Sequence, residues 1–255
     1  MMMNLYGAEH HMLVLSTAIH AEKHKHTFLQ LTIALEEEFE AYIEEEQIRG
    51  SGIIINSNVD HKLIGHGQLL LLLLIDSTSE LAGGFEGYLA GRQYQQLEPS
   101  LIQAICELVK EEYGVIKDSS SYLTFLERLF SLLGVVYNKP KVVDKRIKKL
   151  LKLLTACTDY EHSINSYARQ LGLSNSRLSH LFKENTGIAL SSYMLLHKLQ
   201  KAMYLILNGV TITDAAMQAG FDSSSHLAAT SKKLLGMTAK DIRHDSVFLK
   251  VSCLP

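Results

Sequence analysis

Cysteine and proline are both scarce, at three each in 255 residues. Cys106, Cys157 and Cys253 stand far apart with no CxxC spacing, and their odd number argues against a disulfide framework; a reducing cytoplasm is the expected setting. Long hydrophobic runs are also missing. The longest, Leu69 to Ile75 in GHGQLLLLLLID, falls well short of the roughly 20 residues a membrane span needs and suits a buried strand. The opening MMMNLYGAEHHM lacks a basic region followed by an apolar one, so no secretory signal is expected. No nucleophile–base pairing and no phosphate loop can be found: Gly83 with Gly84 suits a turn, and Ser119 to Ser121 suit a helix cap. An enzyme is therefore not expected, and no cofactor. What is present, 47% hydrophobic and 20% charged residues, is enough for a sizeable core in one large or two ordinary domains.

The net charge of -2 conceals a division. Residues 1–140 carry 9 Lys and Arg against 19 Asp and Glu, a net of -10, whereas residues 141–255 carry 16 against 8, a net of +8. Such asymmetry points to two domains with different partners, the basic one being a candidate for phosphate backbones.

Texture changes at the same place. Up to about residue 95, short apolar runs (MLVLS, FLQLTIA, GIIIN, LLLLLLI) read as strands between polar or glycine-containing turns. Pro99 then fits a helix start, with Ile102, Ile105, Cys106 and Val109 on one face and Gly114 as a stop. In SSSYLTFLERLFSLLG a serine cap leads into Leu123, Leu126, Leu129, Phe130 and Leu133 before Gly134. The segment YNKPKVVDKR, with Pro140 and the charge changeover, is the expected boundary, dividing the chain into 1–138 (helices about 99–134) and 139–255. Everything after it reads as helix.

In SINSYARQLGLSNSRLSHLFKENTG, Ile164, Ala168 and Leu171 share a face of one helix and Leu178, Leu181 and Phe182 line a second, with Gly172 at the turn between. The outer face of the second helix holds Asn175, Ser176, Arg177, Ser179, His180 and Lys183, none acidic. Ser174 would cap it, placing Arg177 in the first turn, where a nearby phosphate would offset the unfavourable helix-dipole term of about 0.3–1 kcal/mol. The scheme then repeats. Ala216 and Gly220 follow Ile212 at the spacing with which Ala168 and Gly172 follow Ile164, 48 residues later, and Leu227, Leu234 and Leu235 take the apolar positions with one extra residue after the turn. Thr211 and Asp214 make a capping box, and ALSSYMLLHKLQKAMYLILNG joins the units as one amphipathic helix of about 18 residues. Duplication in a basic domain favours binding to double-stranded DNA over an ordinary solvated helix pair.

The stretches YARQLGLSNSRLSHLFKENTG, YMLLHKLQKA, ITDAAMQAGFDSSSHL…KKLLG and MTAKDIR, in that order over about residues 144–244, resemble the C-terminal domain of AraC/XylS-type transcription regulators. The resemblance implies an all-α domain with two helix-turn-helix units joined by a long helix, each placing a recognition helix in the major groove. It puts Ser176, Ser179 and His180 at base-reading positions of the first unit, and Ser224, Ser225, His226, Ala228 and Ala229 in the second. It also implies a structural pair of Lys198 with Asp214. Where the family carries phenylalanines and a long polar reader in the second recognition helix, this chain has Leu227, Ser231 and Ala229. Without arginine or asparagine there, bidentate base contacts are excluded, leaving Lys232 and Lys233 to attract phosphate.

For residues 1–138 the resemblance is weaker and implies a cupin-like β-barrel that senses a small-molecule effector, followed by helices used for homodimerisation. The fold class is thus α+β and multidomain. His24 and His26 would point the same way on a strand, and His61 sits where cupins place a late histidine; three imidazoles could hold a metal. Gln30 stands where a cupin carboxylate ligand is expected, and HKH following Lys23 also suits a solvated strand end. The acidic EEEFEAYIEEE reads as an exposed sheet edge. The expected function is a sequence-specific DNA-binding transcription regulator controlled through its N-terminal barrel, with no membrane partner. The alternatives are a metal-dependent cupin enzyme with an accessory helical domain and a degenerate helix-turn-helix module that binds another protein.

Overall fold

Two-residue alternation decides where the leucine run goes. In a strand, successive side chains point to opposite faces, so a run that is apolar throughout must be covered on both. The computed structural model describes residues 3–8, 10–17, 19–77, 79–135, 143–155, 163–186, 189–235, 238–239 and 246–250. Its strands are β1 (Met3–Gly7), β2 (His11–Ser16), β3 (His20–His24), β4 (Phe28–Ala34), β5 (Phe39–Ile43), β6 (Glu46–Gly50), β7 (Gly52–Ile55), β8 (His61–Ile64), β9 (Leu70–Asp76), β10 (Tyr94–Gln96) and β11 (Ser246–Lys250). β9, the leucine run, is the central strand of a seven-stranded sheet ordered β10-β7-β4-β9-β2-β1-β11, antiparallel to both β2 and β4. Leu71, Leu73 and Ile75 face one side; Leu70, Leu72 and Leu74 face the other.

The helices that follow the strands cover the first side. They are α1 (Glu80–Gly83), α2 (Glu86–Leu89), α3 (Pro99–Glu112) and α4 (Ser119–Leu132). Ile105, Leu108 and Val109 of α3 and Phe125, Leu126 and Leu129 of α4 join the Leu71 face in one cluster. Tyr122 stacks on Tyr6 at 4.9 Å, and its hydroxyl lies 2.9 Å from Nε2 of fully buried His11. Burial, together with neighbouring His10, pushes the His11 ring down to about 3, so it stays neutral. Pro99 opens α3 as expected. α4 is capped differently: Asp118, one residue before the serines, accepts from the Ser121 N–H at 2.8 Å, and the Ser121 hydroxyl oxygen accepts from the Asp118 N–H. A carboxylate outcompetes a serine here because Ser121 at the third helical position completes a capping box. Gly83 ends the short α1, with Gly84 at its C-cap, rather than forming an isolated turn.

The other side faces a second sheet, ordered β3-β8-β5-β6, whose Ala21, Phe39, Ala41, Ile43 and Leu63 share a core with Leu5, Met12 and Val14. Two facing sheets replace the expected closed barrel. Among the described residues no strand pairing joins the two sheets: β6 ends the smaller one with exposed Glu46, Gln47 and Arg49, and β10 has only three residues. The links between them are made by side chains, Tyr94 donating its hydroxyl to Glu46 at 2.8 Å and Gln96 its Nε2–H to the Arg49 carbonyl at 3.1 Å. The acidic segment lies where expected, along β5 and the edge strand β6, with Glu44 in the left-handed region at the turn between them.

The remaining helices are α5 (Lys145–Thr155), α6 (Ile164–Gln170), α7 (Asn175–Thr186), α8 (Leu190–Leu207), α9 (Ile212–Ala219) and α10 (Ser224–Leu235). They do not form one separate core. α5, α6, α7 and the first turn of α8 pack around Ile147, Leu150, Tyr167, Leu178 and Phe182. Leu196, Leu199, Ala202 and Met203 of α8, with Ala215, Ala216, Leu227 and Leu234 of α9 and α10, lie instead in the cluster that fills the space between the sheets. Of the expected boundary segment 137–146, residues 137–142 lie outside the described residues. The C-terminal half is also not all helix: β11 adds to the sheet edge, parallel to β1, pairing Met3 with Ser246 through Gly7 with Lys250. Buried Gln200 of α8 donates its Nε2–H to the Ala8 carbonyl at 2.7 Å. The chain passes close enough that a Cβ on Gly7 would stand 2.8 Å from the Gln200 Cδ.

A shared core predicts shared unfolding. Leu199 is fully buried in it, and Leu199→Ala should cost about 2–5 kcal/mol, lowering the denaturation midpoints of the sheets and of α8–α10 together. Met217→Ala, at a half-exposed position, should change stability by no more than about 0.5 kcal/mol. Fluorescence and circular dichroism followed through one denaturant titration would test this; a helical transition separated from the sheet transition in Leu199→Ala would contradict it.

Candidate nucleic-acid interface

The two helix-turn-helix units use the same hydrogen bonds. In the first, Ser163 caps α6, Gly172 turns the chain at φ +65°, and the Leu173 N–H donates to the Ala168 carbonyl at 2.9 Å. In the second, Thr211 caps α9, Gly220 turns at φ +84°, and the Phe221 N–H donates to the Ala216 carbonyl at 2.9 Å. Both pairs are offset by 48 positions. A left-handed residue at this place reverses the chain within three residues, which is why glycine recurs. The later helices are capped one position further apart: Ser174 accepts from the Arg177 N–H at 3.2 Å and Ser223 from the His226 N–H at 3.0 Å. At this shifted offset Leu178 matches Leu227, both fully buried, while fully buried Phe182 matches fully buried Ser231. The second unit thus has a smaller core of its own and leans on that of the sheets.

Asn175, Ser176, Arg177, His180 and Lys183 are exposed on α7, and Ser179 is partly covered, its hydroxyl donating to the Asn175 carbonyl at 2.9 Å. The face is less purely basic than expected, because Glu184 lies 3.8 Å from the Arg177 guanidinium. The seven-residue spacing, two helical turns, could have revealed it. An exposed pair of this kind is worth about 0–1 kcal/mol and yields readily to phosphate. On α10, Ser225, His226, Lys232 and Lys233 are exposed and Ser224 is partly so. His226 Nδ1 is 3.0 Å from the Asp222 carboxylate, an interaction four residues back that sequence reasoning missed. Lys232 and Lys233 occupy the last turn, where the helix dipole favours cations.

The expected Lys198–Asp214 pair is not formed. Lys198 is half-buried, which pushes its ammonium below the ordinary value, and the carboxylate that opposes this is Asp222. Asp214 is instead engaged by the cap it completes, accepting from the Thr211 hydroxyl at 2.6 Å. A further basic surface went unnoticed: α5 buries Ile147, Leu150 and Leu154 and leaves Lys145, Arg146, Lys148, Lys149 and Lys152 exposed. Its signal, KRIKKLLKLLT, is an amphipathic pattern at helical spacing.

In the N-terminal half, His24, His26 and His61 come together, each offering a ring nitrogen within 4.8 Å of the others. β3 ends at His24, which pairs directly with His61 on β8, while His26 lies just beyond the strand. Burial dominates their chemistry, holding His26 at about 3 and His61 at about 4. The His24 ring is lowered too, first by burial and further by Lys233 of α10, against the raising effect of its bond to the Glu22 carbonyl. Space for a small molecule opens elsewhere, in a groove of about 800 Å³ between the edges of the two sheets, lined by Glu46, Arg49, Arg92, Tyr94 and Gln96 among others. Among the described residues, no helix is long and apolar enough to cross a membrane.

Comparison with known proteins agrees with this geometry. Residues 167–245 match a helix-turn-helix domain family. Over 117 residues the chain is 27% identical to the bifunctional transcriptional activator/DNA repair enzyme Ada of Escherichia coli, covering 44% of this chain and 33% of that protein. Over 129 residues it is 28% identical to the uncharacterized HTH-type transcriptional regulator YbfI of Bacillus subtilis, covering 49% and 46%. The HTH-type transcriptional activator RhaR of Escherichia coli is 23% identical over 141 residues, half of each chain. The matched region thus spans between a third and a half of these relatives. Among solved structures, an apo ToxT variant from Vibrio cholerae superposes with a TM-score of 0.50 at 12% identity, covering 92% of this chain and 97% of that one, so the two-part fold is shared. Residues 167–245 are a helix-turn-helix domain, in the region where the motif order lies.

The turn geometry is open to a direct check. Nothing lies within 4 Å of a Cβ built on Gly172, so Gly172→Ala should cost only the left-handed backbone term, about 1–2 kcal/mol. Gly172→Asn should cost less, since asparagine tolerates that region. Equal thermal stability of wild type and Gly172→Ala would contradict the turn.

Proposed function

We propose that this chain is a sequence-specific DNA-binding transcription regulator in which α7 is the principal base reader and α10 mainly grips the phosphate backbone. The observation that carries this reading is the repeated turn, Leu173 to Ala168 and Phe221 to Ala216, which presents two short helices with exposed cationic faces from a half of net charge +8. Ser176, Ser179 and His180 are the proposed base contacts, with Arg177 and Lys183 flanking them; Ser224, Ser225 and His226 lie at the matching place on α10. α5 adds a cationic stripe suited to phosphate. The names of YbfI and RhaR, both transcriptional regulators, support the same class. Control through the N-terminal half, by a small-molecule effector in the groove between the sheet edges, and homodimerisation through α3 and α4 belong to the same proposal. So does a cytoplasmic location. No residue is assigned a catalytic role.

Mutations should separate the two helices. Arg177→Ala or His180→Ala should weaken binding to a selected site by about 1–3 kcal/mol while affecting scrambled DNA less. Ser225→Ala should change little. Replacing Lys232 and Lys233 together by alanine should weaken both DNAs alike and reduce the salt slope by about 2. Fluorescence anisotropy across a salt series reads all three. Absence of any salt-dependent DNA affinity in the wild type would overturn the proposal.

A further inference from the structure

The three clustered imidazoles share an arrangement that packing alone does not require. Each directs its Nδ1 at a backbone carbonyl: His24 at Glu22 (2.6 Å), His26 at Phe28 (3.0 Å) and His61 at Val59 (2.9 Å). A carbonyl can only accept, so each Nδ1 carries the ring's proton and each Nε2 presents a lone pair. Backbone bonds of this kind are the outer support that fixes the tautomer of metal-ligating histidines. The Nε2 atoms of His26 and His61 point at one atom, the Oε1 of buried Gln30, at 3.1 and 3.3 Å. Gln30 is held in turn by Thr32, whose Oγ1 accepts from its Nε2 at 3.1 Å. Lone pairs on nitrogen and oxygen therefore face one another with no hydrogen between them. A cation among them relieves this, as does a reversed Gln30 amide that gives its N–H groups to the rings and accepts from the Thr32 hydroxyl.

We propose that His24, His26, His61 and the Gln30 carbonyl oxygen form a site for a borderline divalent transition ion such as zinc, cobalt or nickel, and that α10 responds to its occupancy through β3. Three neutral nitrogen donors and one amide oxygen suit such ions; magnesium and calcium would require a shell of oxygens. Reversal of the Gln30 amide is the device that satisfies the site without its ion. Zinc–nitrogen bonds of about 2.0–2.1 Å place tetrahedral ligands about 3.4 Å apart, so nitrogens within 4.8 Å of one another draw inward on binding. His24, the least buried of the three and the last residue of β3, has the most room to move. α10 packs against β3, and its Lys233 lies within electrostatic reach of His24. An ion thus pulls on the strand under α10 and adds two positive charges beside Lys233. Both loosen α10 from the sheets and free it for DNA. The second half of the proposal rests on the DNA-binding reading above; the first does not.

The test uses the full chain, stripped of metal with a chelator and titrated with Co(II) without DNA. One equivalent should produce the visible absorption of a nitrogen-coordinated cobalt centre, displaced by zinc. His24→Ala, at the least buried ligand, should weaken binding by roughly 100-fold or more while circular dichroism remains that of the wild type. Gln30→Glu, which exchanges an amide oxygen for a carboxylate, should tighten it roughly tenfold. Absence of the cobalt absorption in the wild type, or an unchanged affinity in His24→Ala, would overturn the site. In a separate arm, one equivalent of zinc should raise affinity for a selected DNA site at least about fivefold, an effect absent in His24→Ala. Cobalt binding with unaltered DNA affinity would overturn the coupling and leave the site standing. Failure of all DNA binding with cobalt absorption intact would instead count against the DNA-binding reading.

Discussion

Leu199, Ala202 and Met203 of the connecting helix are buried in the same cluster as Leu5, Met12 and Val14 of the large sheet. That burial is the constraint on which the other contacts depend. The inner face of the seven-stranded sheet is apolar along β9 and β2, and the smaller four-stranded sheet shares its core with helix side chains. Removing large apolar side chains from such a position costs several kcal/mol each, comparable with the whole stability of a domain. The Gln200 bond to Ala8 and the parallel pairing of β11 with β1 then fix the orientation that the apolar contact leaves loose.

The consequence is an asymmetry between units that share one turn geometry. Around Phe182 and Tyr193 the first unit closes a core of its own, so α7 presents its outer face independently of the sheets. With Ser231 where the first unit has Phe182, the second cannot do the same and borrows burial from the sheet domain. Ala229, short and exposed, lies on the same helix. Loss of internal packing and loss of long polar side chains both suit a helix whose position is set by the N-terminal half. On the coupling proposed above, the contact of α10 with β3 is what would change, and any ligand with different affinity for the docked and free states would shift the balance between them.

Much of this was legible in the residues because it depends on local rules. The leucine run, Pro99, the Thr211 cap and the 48-residue recurrence of alanine and glycine each follow from period, cap or turn chemistry. The clustering of His24, His26 and His61 was also within reach, though its hydrogen bonds to Glu22, Phe28 and Val59 were not, since they depend on how the chain bends beyond β3. Long-range pairing was hidden for the same reason. Nothing in SVFLK distinguishes a terminal tail from a strand until β1 offers an open edge, and nothing in Gln200 announces the Ala8 carbonyl. Alternation predicts that a strand is buried, but it does not say whether the sheets close, which depends on pairing between strands distant in sequence. Lys198 was assigned the wrong acid because sequence spacing does not show that Thr211 already occupies Asp214.

The central claim is that the second helix-turn-helix unit belongs energetically to the sheets while the first stands apart. Native-state hydrogen exchange with residue resolution measures this directly, since amides that open in one cooperative event share one free energy of opening. The amides of α8–α10, such as those of Met203, Ala216 and Leu227, should open with the free energy of β2 and β9. Those of α6 and α7, such as Leu178 and Phe182, should open at a lower one. Protection of α10 that follows α7 and departs from β9 would contradict the account.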